Sequence, residues 1–320
     1  MEVDIARAKK PFVAVTGAGG FIGRALCARL EAHGQPVRRL VHASTGNNDD
    51  EVALDLERAQ PEALARVLDG AFAVVHLAAR VHRMDDMGSD AETAHRLANV
   101  DVTERLALAA VTAGVRRFLF ASTVKVNGEA TSQGHAFRAG DAPSPQDAYA
   151  RSKLAAERTL AQVSSGTSML ATSLRLPLVY GAGARGNFRR LVDAVAAHRV
   201  LPFGAIDNRR SVLGIDNLLD AVEAVLASDN AVIGAHFVAD AESVSTPALV
   251  RAIADALGVE PRLVRVPVGA LRRGGALAGR AATIARLTDS LEVDTGSLVR
   301  VTAWRPRPFA IDKAMLACDL

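Results

Sequence analysis

Short apolar runs alternate with longer amphipathic stretches along the first half of the chain. The short runs are rich in Val, Leu, Phe and Ala and predict buried strands at residues 11–16, 36–42, 71–77, 117–122 and 168–177. The stretches between them carry apolar residues at helical spacing and predict helices at residues 21–33, 61–68, 91–113 and 149–163. Strands separated by helices of this length form parallel βαβ units, so we expect an α/β fold built on a Rossmann-type doubly wound parallel sheet.

This alternation ends near residue 180. The segment GAGARGN at residues 181–187 predicts a loop, and helices and short strands follow at irregular spacing between prolines. Residues 235–238 predict one more strand of the sheet. We therefore expect a sheet domain over residues 1–180, with returning segments near 211–240, and a smaller C-terminal lobe made mainly of residues 181–320.

Composition narrows the class of protein. The 320 residues are 49% hydrophobic and 23% charged, which suits a folded core and excludes a disordered chain. The net charge is 38 − 35 = +3, and basic residues occur only as short pairs, so we expect no nucleic-acid partner.

Two Cys are too few for a disulfide framework or a zinc cluster, and no metal site is predicted. No apolar run approaches the roughly 20 residues that span a bilayer, and the charged N-terminal segment does not resemble a secretory signal. We expect a cytoplasmic protein without a membrane partner.

A glycine-rich turn, TGAGGFIG at residues 16–23, follows the first predicted strand. Gly17 permits a tight turn, Gly20 lets the backbone approach a pyrophosphate, and Gly23 lets the following helix pack close to the strand. The start of that helix offers N–H groups and a positive dipole end to phosphates. The placement between strand and helix predicts dinucleotide binding, with contacts from Gly17, Gly19, Gly20, Phe21 and Ile22.

The end of the second predicted strand bears on the choice between NAD and NADP. NAD-binding proteins often place an acid about 20 residues after the turn, and here no acid follows the strand before Asp49. Arg38 or His42 could meet a 2′-phosphate, or both could be solvated charges at a strand end. The predicted cofactor is therefore NAD or NADP.

Two later strand-end patterns also fit a dinucleotide. Asp55 and Leu56 could hold the adenine amino group, and the small residues of Leu77-Ala78-Ala79 could let a cofactor lie flat over the strand end. Either pattern alone is also an ordinary way for a strand to end.

Tyr149 and Lys153 lie four residues apart at the start of a predicted helix, so their side chains share one face. An ammonium beside a phenol stabilises the phenolate and lowers the phenol pKa from about 10. The phenolate could take a proton from a substrate alcohol while hydride leaves for nicotinamide. The other interpretation is a surface contact within the helix, but the chain has only two Tyr and five Lys.

A third group should orient the substrate hydroxyl. Ser122 and Thr123 end the strand predicted at 117–122, at the edge where open α/β sheets bind ligands. We favour Thr123 as this catalytic group and hold Ser122 as the alternative, although such pairs are commonly caps or turn residues.

Together these motifs resemble the extended short-chain dehydrogenase/reductases of the NAD-dependent epimerase/dehydratase family. The resemblance covers nearly the whole chain and rests on TGAGGFIG, HLAA at 76–79, Asn99, the Ser-Thr strand end, YxxxK and RLPLVYG at 175–181. It implies that residues 1–180 bind NAD(P) throughout turnover and that the C-terminal lobe binds a nucleotide sugar. It also implies that Asn99 lies near Lys153, and that Pro177 and Leu178 lie near the nicotinamide.

Three segments resemble most the UDP-glucose 4-epimerase-like proteins of bacterial polysaccharide synthesis: STVKVNGE at 122–129, GNF at 186–188 and NRRS at 208–211. The resemblance implies that Asn187, with the adjacent Phe188, and Arg210 bind the substrate at its UDP diphosphate. The planar fork of Arg suits phosphate oxygens, although Arg209-Arg210 could also be a charged loop. Lys125 could contact the substrate or be solvated.

The chain also departs from the family pattern. Asn127 stands where a Tyr is usual, and Val124-Lys125 stands where sugar-nucleotide 4,6-dehydratases place an Asp-Glu pair. Without those carboxylates dehydration lacks its general acid and base, which excludes that branch.

The remaining functions share the same catalytic residues. A UDP-hexose 4-epimerase, acting by transient oxidation at the sugar 4-position, is favoured over an NAD(P)H-dependent reductase of UDP-4-keto sugars or another alcohol or steroid-type reductase. A non-catalytic dinucleotide-binding regulator is disfavoured because Tyr149 and Lys153 are both present. A homodimer through the apolar faces of helices 91–113 and 149–163 is possible by analogy with the fold.

Overall fold

The strands of the first half follow the predicted order. The computed structural model describes residues 11–43, 50–80, 89–132 and 134–317. The strands are β1 (Phe12–Thr16), β2 (Val37–Val41), β3 (Glu51–Ala53), β4 (Ala71–His76), β5 (Arg117–Thr123), β6 (Ala136–Phe137), β7 (Leu170–Leu176), β8 (Leu178–Tyr180), β9 (Val212–Gly214), β10 (Gly234–Phe237) and β11 (Glu292–Val293).

Helices separate most of these strands. They are α1 (Phe21–Ala32), α2 (Pro61–Leu68), α3 (Ser89–His95), α4 (Val102–Thr112), α5 (Ala148–Ser164), α6 (Asn187–Ala196), α7 (Ile215–Ala227), α8 (Thr246–Leu257), α9 (Val268–Leu277), α10 (Ala281–Thr288) and α11 (Gly296–Val301). A π-helical segment, Arg96–Asp101, joins α3 to α4, so the single helix predicted at 91–113 is interrupted. Short 3₁₀ turns occupy Val124–Val126 and Ala314–Leu316.

A seven-stranded sheet has the order β10-β7-β5-β4-β1-β2-β3. β1 pairs in parallel with β2 and β4, and β4 pairs in parallel with β5. The chain builds outward from β1 in one direction and then returns to add β4 on its other side. This reversal makes a topological switch point, where open α/β sheets bind ligands beyond the carboxyl ends of their strands. The predicted doubly wound parallel sheet is confirmed, while β3 is an additional strand that was not predicted.

The chain forms two units. The described residues up to Ala121 form the first unit with Ser152–Ser173 and Ala231–Gly234. The second unit contains Ser122–Arg151, Leu174–Asn230 and the described residues from Ala235 onward. The boundaries of the predicted functional domains stay a prediction.

The core of the first unit lies where α2 and α4 pack together beside the sheet. It is built mainly from Ala, Leu and Val, because the chain has few aromatic residues. Its largest members include Leu40, Leu64, Leu68, Leu106 and Phe118.

The second unit has its own strand pairs and helix packing. β8 pairs in parallel with β9, β6 pairs in parallel with β11, and α6 packs on α8. Val124, Phe237 and Leu291 form a small buried cluster there. None of the helices in the described part of the chain is long and apolar enough to span a membrane.

Candidate active site

The glycine-rich turn connects β1 to α1 with little space for side chains. Gly17 has a φ of 67°, and a Cβ placed there would lie 2.8 Å from the Ala78 nitrogen. A Cβ on Gly23 would lie 2.2 Å from the Gly17 oxygen, so the start of α1 requires glycine at this position. A Cβ on Gly19 would meet nothing within 4 Å, which leaves the backbone open to a ligand there. The turn therefore has the close backbone approach that a pyrophosphate requires.

A cleft of about 920 Å³ opens beside this turn in the first unit. A cavity of this size is large enough for a cofactor. Residues predicted for the cofactor and found in its lining are Gly17, Gly19, Gly20, His42, Asp55, Leu56, Ala78 and Ala79. The structure thus brings four separate stretches of the sequence prediction to one place.

Arg38, one of the two residues that could meet a 2′-phosphate, is not among the described residues that line the cleft. Its guanidinium carbon is 4.0 Å from the centre of the Phe12 ring, and its Nη1 donates to the Val67 oxygen at 2.7 Å. His42 directly follows β2 and lines the cleft. Phe21, Ile22 and Leu77 are likewise not among the described residues that line the cleft.

Charged residues that the sequence analysis missed also line the cleft. They are Glu51, Glu57, Arg58 and Arg80. The exposed Arg58 Nε lies 3.7 Å from an Asp55 carboxylate oxygen. β3 itself was not predicted, because a three-residue strand has too little apolar periodicity to be recognised.

A line of buried hydrogen bonds runs from the glycine turn through His76. His76 Nδ1 lies 2.6 Å from Thr16 Oγ1, and His76 Nε2 lies 3.1 Å from Thr103 Oγ1. Burial, and secondarily the Lys153 charge, lower the pKa of His76 to about 3, so its ring is neutral. Thr103 uses its proton to donate to the Asn99 oxygen at 2.6 Å. The Nε2–H of His76 must then donate to Thr103, and its Nδ1 accepts from Thr16.

Asn99 is buried in the π-helical segment, a feature that often marks functional sites. Its Nδ2 donates to Ser152 Oγ at 2.9 Å and to the Arg80 oxygen at 3.2 Å, and its Oδ1 accepts from the Arg80 nitrogen at 2.8 Å. Asn99 therefore joins the backbone of a cleft residue to the residue directly before Lys153. This position agrees with the expectation that Asn99 lies near Lys153.

Lys153 lies on α5 and is buried. Its Nζ donates to the Ala121 oxygen at 2.7 Å and lies 4.4 Å from the centre of the Phe120 ring. Burial lowers the pKa of its ammonium to about 7, against the opposing effect of Glu157. A lysine in this state can change its charge near neutral pH.

Tyr149 is the second residue of α5, four residues before Lys153, so the helix puts both side chains on one face. Burial raises the pKa of Tyr149 to about 12, and the Asp147 carboxylate adds to this effect. The predicted lowering of the phenol pKa is therefore wrong in direction. Removal from water disfavours the phenolate, and the Lys153 ammonium is bonded to the Ala121 oxygen.

Ser122 and Thr123 end β5 and are both buried. Thr123 Oγ1 accepts from the Lys125 nitrogen at 3.4 Å and so begins the 3₁₀ turn Val124–Val126. Thr123 therefore caps a turn, which is the alternative role that the sequence also allowed. It does not conflict with catalysis, because a hydroxyl oxygen has a second lone pair and a proton.

The residues predicted to bind substrate all belong to the second unit. Asn187 is exposed at the start of α6. Phe188 is a buried core residue, with its ring centre 5.8 Å from that of Tyr180, and its contact with the substrate stays a prediction. Arg210 Nη1 donates to the Asp289 oxygen at 2.8 Å. Burial lowers the pKa of the Arg210 guanidinium, while Asp289 and Glu129 oppose this effect.

Lys125 is committed to two carboxylates. Its Nζ lies 2.7 Å from Asp147 Oδ2 and 2.7 Å from Glu129 Oε1. Neither predicted role, substrate contact or solvated charge, describes this arrangement. Pro177 and Leu178, predicted to lie near nicotinamide, belong to the second unit, where Leu178 begins β8.

Comparisons with known proteins agree with this geometry. The sequence profile of the NAD dependent epimerase/dehydratase family matches residues 13–239. A UDP-glucose 4-epimerase of Vibrio cholerae is 33% identical over 296 residues, which make up 92% of this chain and 90% of that protein. A dTDP-6-deoxy-L-talose 4-dehydrogenase (NAD(P)(+)) of Kitasatospora kifunensis is 30% identical over 270 residues, 80% of this chain and 82% of that protein. The solved structure of MoeE5 in complex with UDP-glucuronic acid and NAD is 25% identical, with a TM-score of 0.73, and covers 93% of this chain and 94% of that one.

Proposed function

This chain belongs to the NAD dependent epimerase/dehydratase family and is an enzyme of the short-chain dehydrogenase/reductase type, and from that premise we propose that it is an NAD-dependent UDP-hexose 4-epimerase. The observation that carries the proposal is the placement of Tyr149 and Lys153 one turn apart on α5, in a chain 33% identical to a UDP-glucose 4-epimerase.

The cleft of the first unit fits the cofactor. Gly17 and Gly23 exclude side chains from the turn, and the open space at Gly19 admits the pyrophosphate. Glu51, Asp55 and Glu57 line the same cleft, and carboxylates there suit the ribose hydroxyls of NAD better than a 2′-phosphate. We therefore assign NAD to this cleft. Its nicotinamide supplies a hydride acceptor that can also return the hydride.

Tyr149 performs the proton transfers in this proposal. Because burial disfavours the phenolate, the phenol first passes its proton to the neutral amine of Lys153. The phenolate then accepts the proton of the sugar 4-hydroxyl as the alcohol is oxidised, and the phenol gives a proton back as the ketone is reduced. Lys153 lies one helical turn away, and its depressed ammonium pKa lets it exchange protons near neutral pH. Thr123, with Ser122 beside it, holds the reacting oxygen by hydrogen bonds from the end of β5.

The second unit supplies the nucleotide-binding residues. Arg210 has a partly buried guanidinium suited to paired hydrogen bonds with diphosphate oxygens. Asn187 stands at the N-terminus of α6, where backbone N–H groups attract phosphate. With these residues holding the diphosphate, the 4-keto sugar would stay bound through its nucleotide while the hexose ring is free to turn over.

A 4-keto-sugar reductase is the second candidate. It is favoured by the 30% identity to a dTDP-6-deoxy-L-talose 4-dehydrogenase (NAD(P)(+)). The two reactions differ in whether reduced cofactor is consumed, because an epimerase returns each hydride to its own substrate.

Incubation with UDP-hexoses separates the candidates. Conversion of UDP-glucose or its N-acetylated analogue into the 4-epimer, seen by proton NMR without a net change in the absorbance of reduced nicotinamide, supports the proposal. Oxidation of NADH or NADPH only when a 4-keto sugar nucleotide is added supports the reductase. If neither reaction occurs with any member of a panel of UDP- and dTDP-hexoses, both candidate functions are wrong.

We further propose that the enzyme is a cytoplasmic homodimer. Leu97 in the π-helical segment and Leu108 on α4 are 51% and 52% exposed, which gives these helices apolar surface for a second copy. Light scattering coupled to gel filtration tests this, and a monomeric mass at micromolar concentration contradicts it.

A further inference from the structure

Asp147 caps the helix that carries Tyr149. Its Oδ1 accepts from the Ala150 nitrogen at 2.7 Å, and its backbone oxygen accepts from the Arg151 nitrogen at 3.0 Å. An acidic residue at a helix N-terminus stabilises the first turn through these hydrogen bonds and through the helix dipole. The same carboxylate stands close enough to Tyr149 to disfavour the phenolate.

Lys125, in the 3₁₀ turn that follows β5, also contacts Asp147. Its Nζ donates to the second carboxylate oxygen of Asp147 at 2.7 Å, so the two oxygens of Asp147 have different partners. Its own backbone nitrogen donates to Thr123 Oγ1 at 3.4 Å. One residue therefore contacts both the predicted hydroxyl group at the end of β5 and the cap of the helix that presents the phenol.

We propose that Lys125 is a positioning residue of the reaction, which holds the start of α5 through Asp147 and neutralises the carboxylate beside the Tyr149 phenol. The role in the reaction rests on the proposed function. Lys125 need not touch the substrate, because it acts through Asp147.

Charged groups of both signs lie along this part of the described chain. Asp147 precedes Tyr149, and Lys153 lies one turn further along the same helix. Lys125 and Glu129 face Asp147 from the segment after β5, and Arg286 of α10 lies 3.9 Å from Glu129. Without Lys125 the Asp147 and Glu129 carboxylates lose their shared cation. The negative charge of Asp147 is then no longer offset by the Lys125 ammonium. The Tyr149 phenolate therefore becomes harder to form.

The chain allows a direct measurement, because Tyr149 and Tyr180 are its only tyrosines. Full-length protein with ¹³Cζ-labelled tyrosine gives two NMR signals, and Tyr149→Phe assigns them. The Tyr149 signal is followed against pH with and without NAD. We expect Lys125→Met to lower the ratio of phenolate to phenol at a given pH about tenfold, and Lys125→Arg to preserve it.

Asp147→Asn should act in the opposite direction, raising that ratio about tenfold while its amide oxygen still caps α5. Lys313→Met, which removes an exposed lysine of the same unit, is the matched control and should leave the Tyr149 titration unchanged.

The pH profile of turnover should shift in the same direction as the Tyr149 titration in each variant. A Tyr149 titration that is the same in Lys125→Met and the unsubstituted protein overturns the proposal. If Lys125→Met does not fold, an unchanged titration in Asp147→Asn overturns it equally. The titration needs no substrate, so failure of the proposed function would appear separately, as a lack of turnover in the unsubstituted protein.

Discussion

Asn99 Nδ2 donates a hydrogen bond to Ser152 Oγ at 2.9 Å, although 53 residues separate them in the sequence. The bond is buried and joins the π-helical segment before α4 to α5. Through it the backbone of Arg80, in the lining of the cofactor cleft, is connected to the residue that precedes Lys153. The side chain of Asn99 therefore links the backbone of a cleft residue to the residue next to Lys153.

Replacing Asn99 by Ala should lower both stability and turnover. The substitution removes the hydrogen bonds of Asn99 to Ser152 and to the backbone of Arg80, at a cost of about 1–3 kcal/mol in the free energy of unfolding. Urea denaturation measures this cost. Asn99→Ala and Ser152→Ala should be non-additive in a double-mutant cycle, and additive effects would contradict the proposed coupling.

Tyr149→Phe should lower turnover by a factor of about 100 or more, because it removes the group that transfers the proton. Tyr180→Phe is the matched control. The Tyr180 hydroxyl donates to Asp240 at 2.7 Å in the core of the second unit, so its loss should reduce stability and leave most turnover intact. Steady-state kinetics on both variants decides this, and comparable turnover in the two would refute the assignment.

Stability should fall as the pH drops below about 6.5 because His76 is neutral in the folded protein. Its pKa is about 3 when folded and 6.5 when unfolded, so between these values the unfolded chain binds one more proton. The stabilisation that comes from neutral His76 is fully present above pH 6.5. As the pH falls toward 3, the free energy of unfolding decreases by at most about 1.4 kcal/mol per pH unit. Urea denaturation at several pH values should show a shallower slope in His76→Gln. The exposed His33, changed to Gln, should keep the original slope.

Substitutions in the glycine turn should separate folding from cofactor binding. A Cβ on Gly23 meets the Gly17 oxygen at 2.2 Å, so Gly23→Ala should lower both the melting temperature and the affinity for NAD. A Cβ on Gly19 meets nothing, so Gly19→Val should weaken NAD binding about tenfold or more with little change in melting temperature. Calorimetry with NAD tests both. Gly140→Ala, at an exposed and open position, is the control.

Arg210→Ala should weaken binding of UDP far more than binding of NAD, because Arg210 belongs to the second unit and the NAD cleft to the first. Loss of one paired guanidinium–phosphate contact should cost about tenfold or more in affinity. Titration calorimetry with each ligand measures the two effects separately. Equal losses for both ligands would show that Arg210 is not a nucleotide-sugar contact.

Elements with a strong local signal were predictable from the sequence. The strands that became β1, β4 and β5 are continuous apolar runs, and their parallel pairing follows from the helices between them. The steric limit at Gly23 is local, because a Cβ there would meet the Gly17 oxygen, whereas the limit at Gly17 comes from the distant Ala78. The shared face of Tyr149 and Lys153 depends only on helical spacing.

Contacts between distant segments were not predictable in the same way. Arg38 was expected at the cofactor but lies over Phe12, because strand direction alone does not say which neighbour a long side chain finds. Lys125 was expected at the substrate or in solvent, but its partner Asp147 lies 22 residues away in the sequence. Glu51, which lines the cleft, lies on β3, a strand too short to recognise from the sequence.

The sequence by itself therefore determined the strands of the sheet, the glycine-rich turn and the shared helix face of Tyr149 and Lys153, because each leaves its signal within one short stretch of the chain. Only the tertiary structure decided the charge states at the site. Burial raises the Tyr149 pKa and lowers those of Lys153 and His76, and the desolvation that causes these shifts depends on segments that come together only in the folded chain.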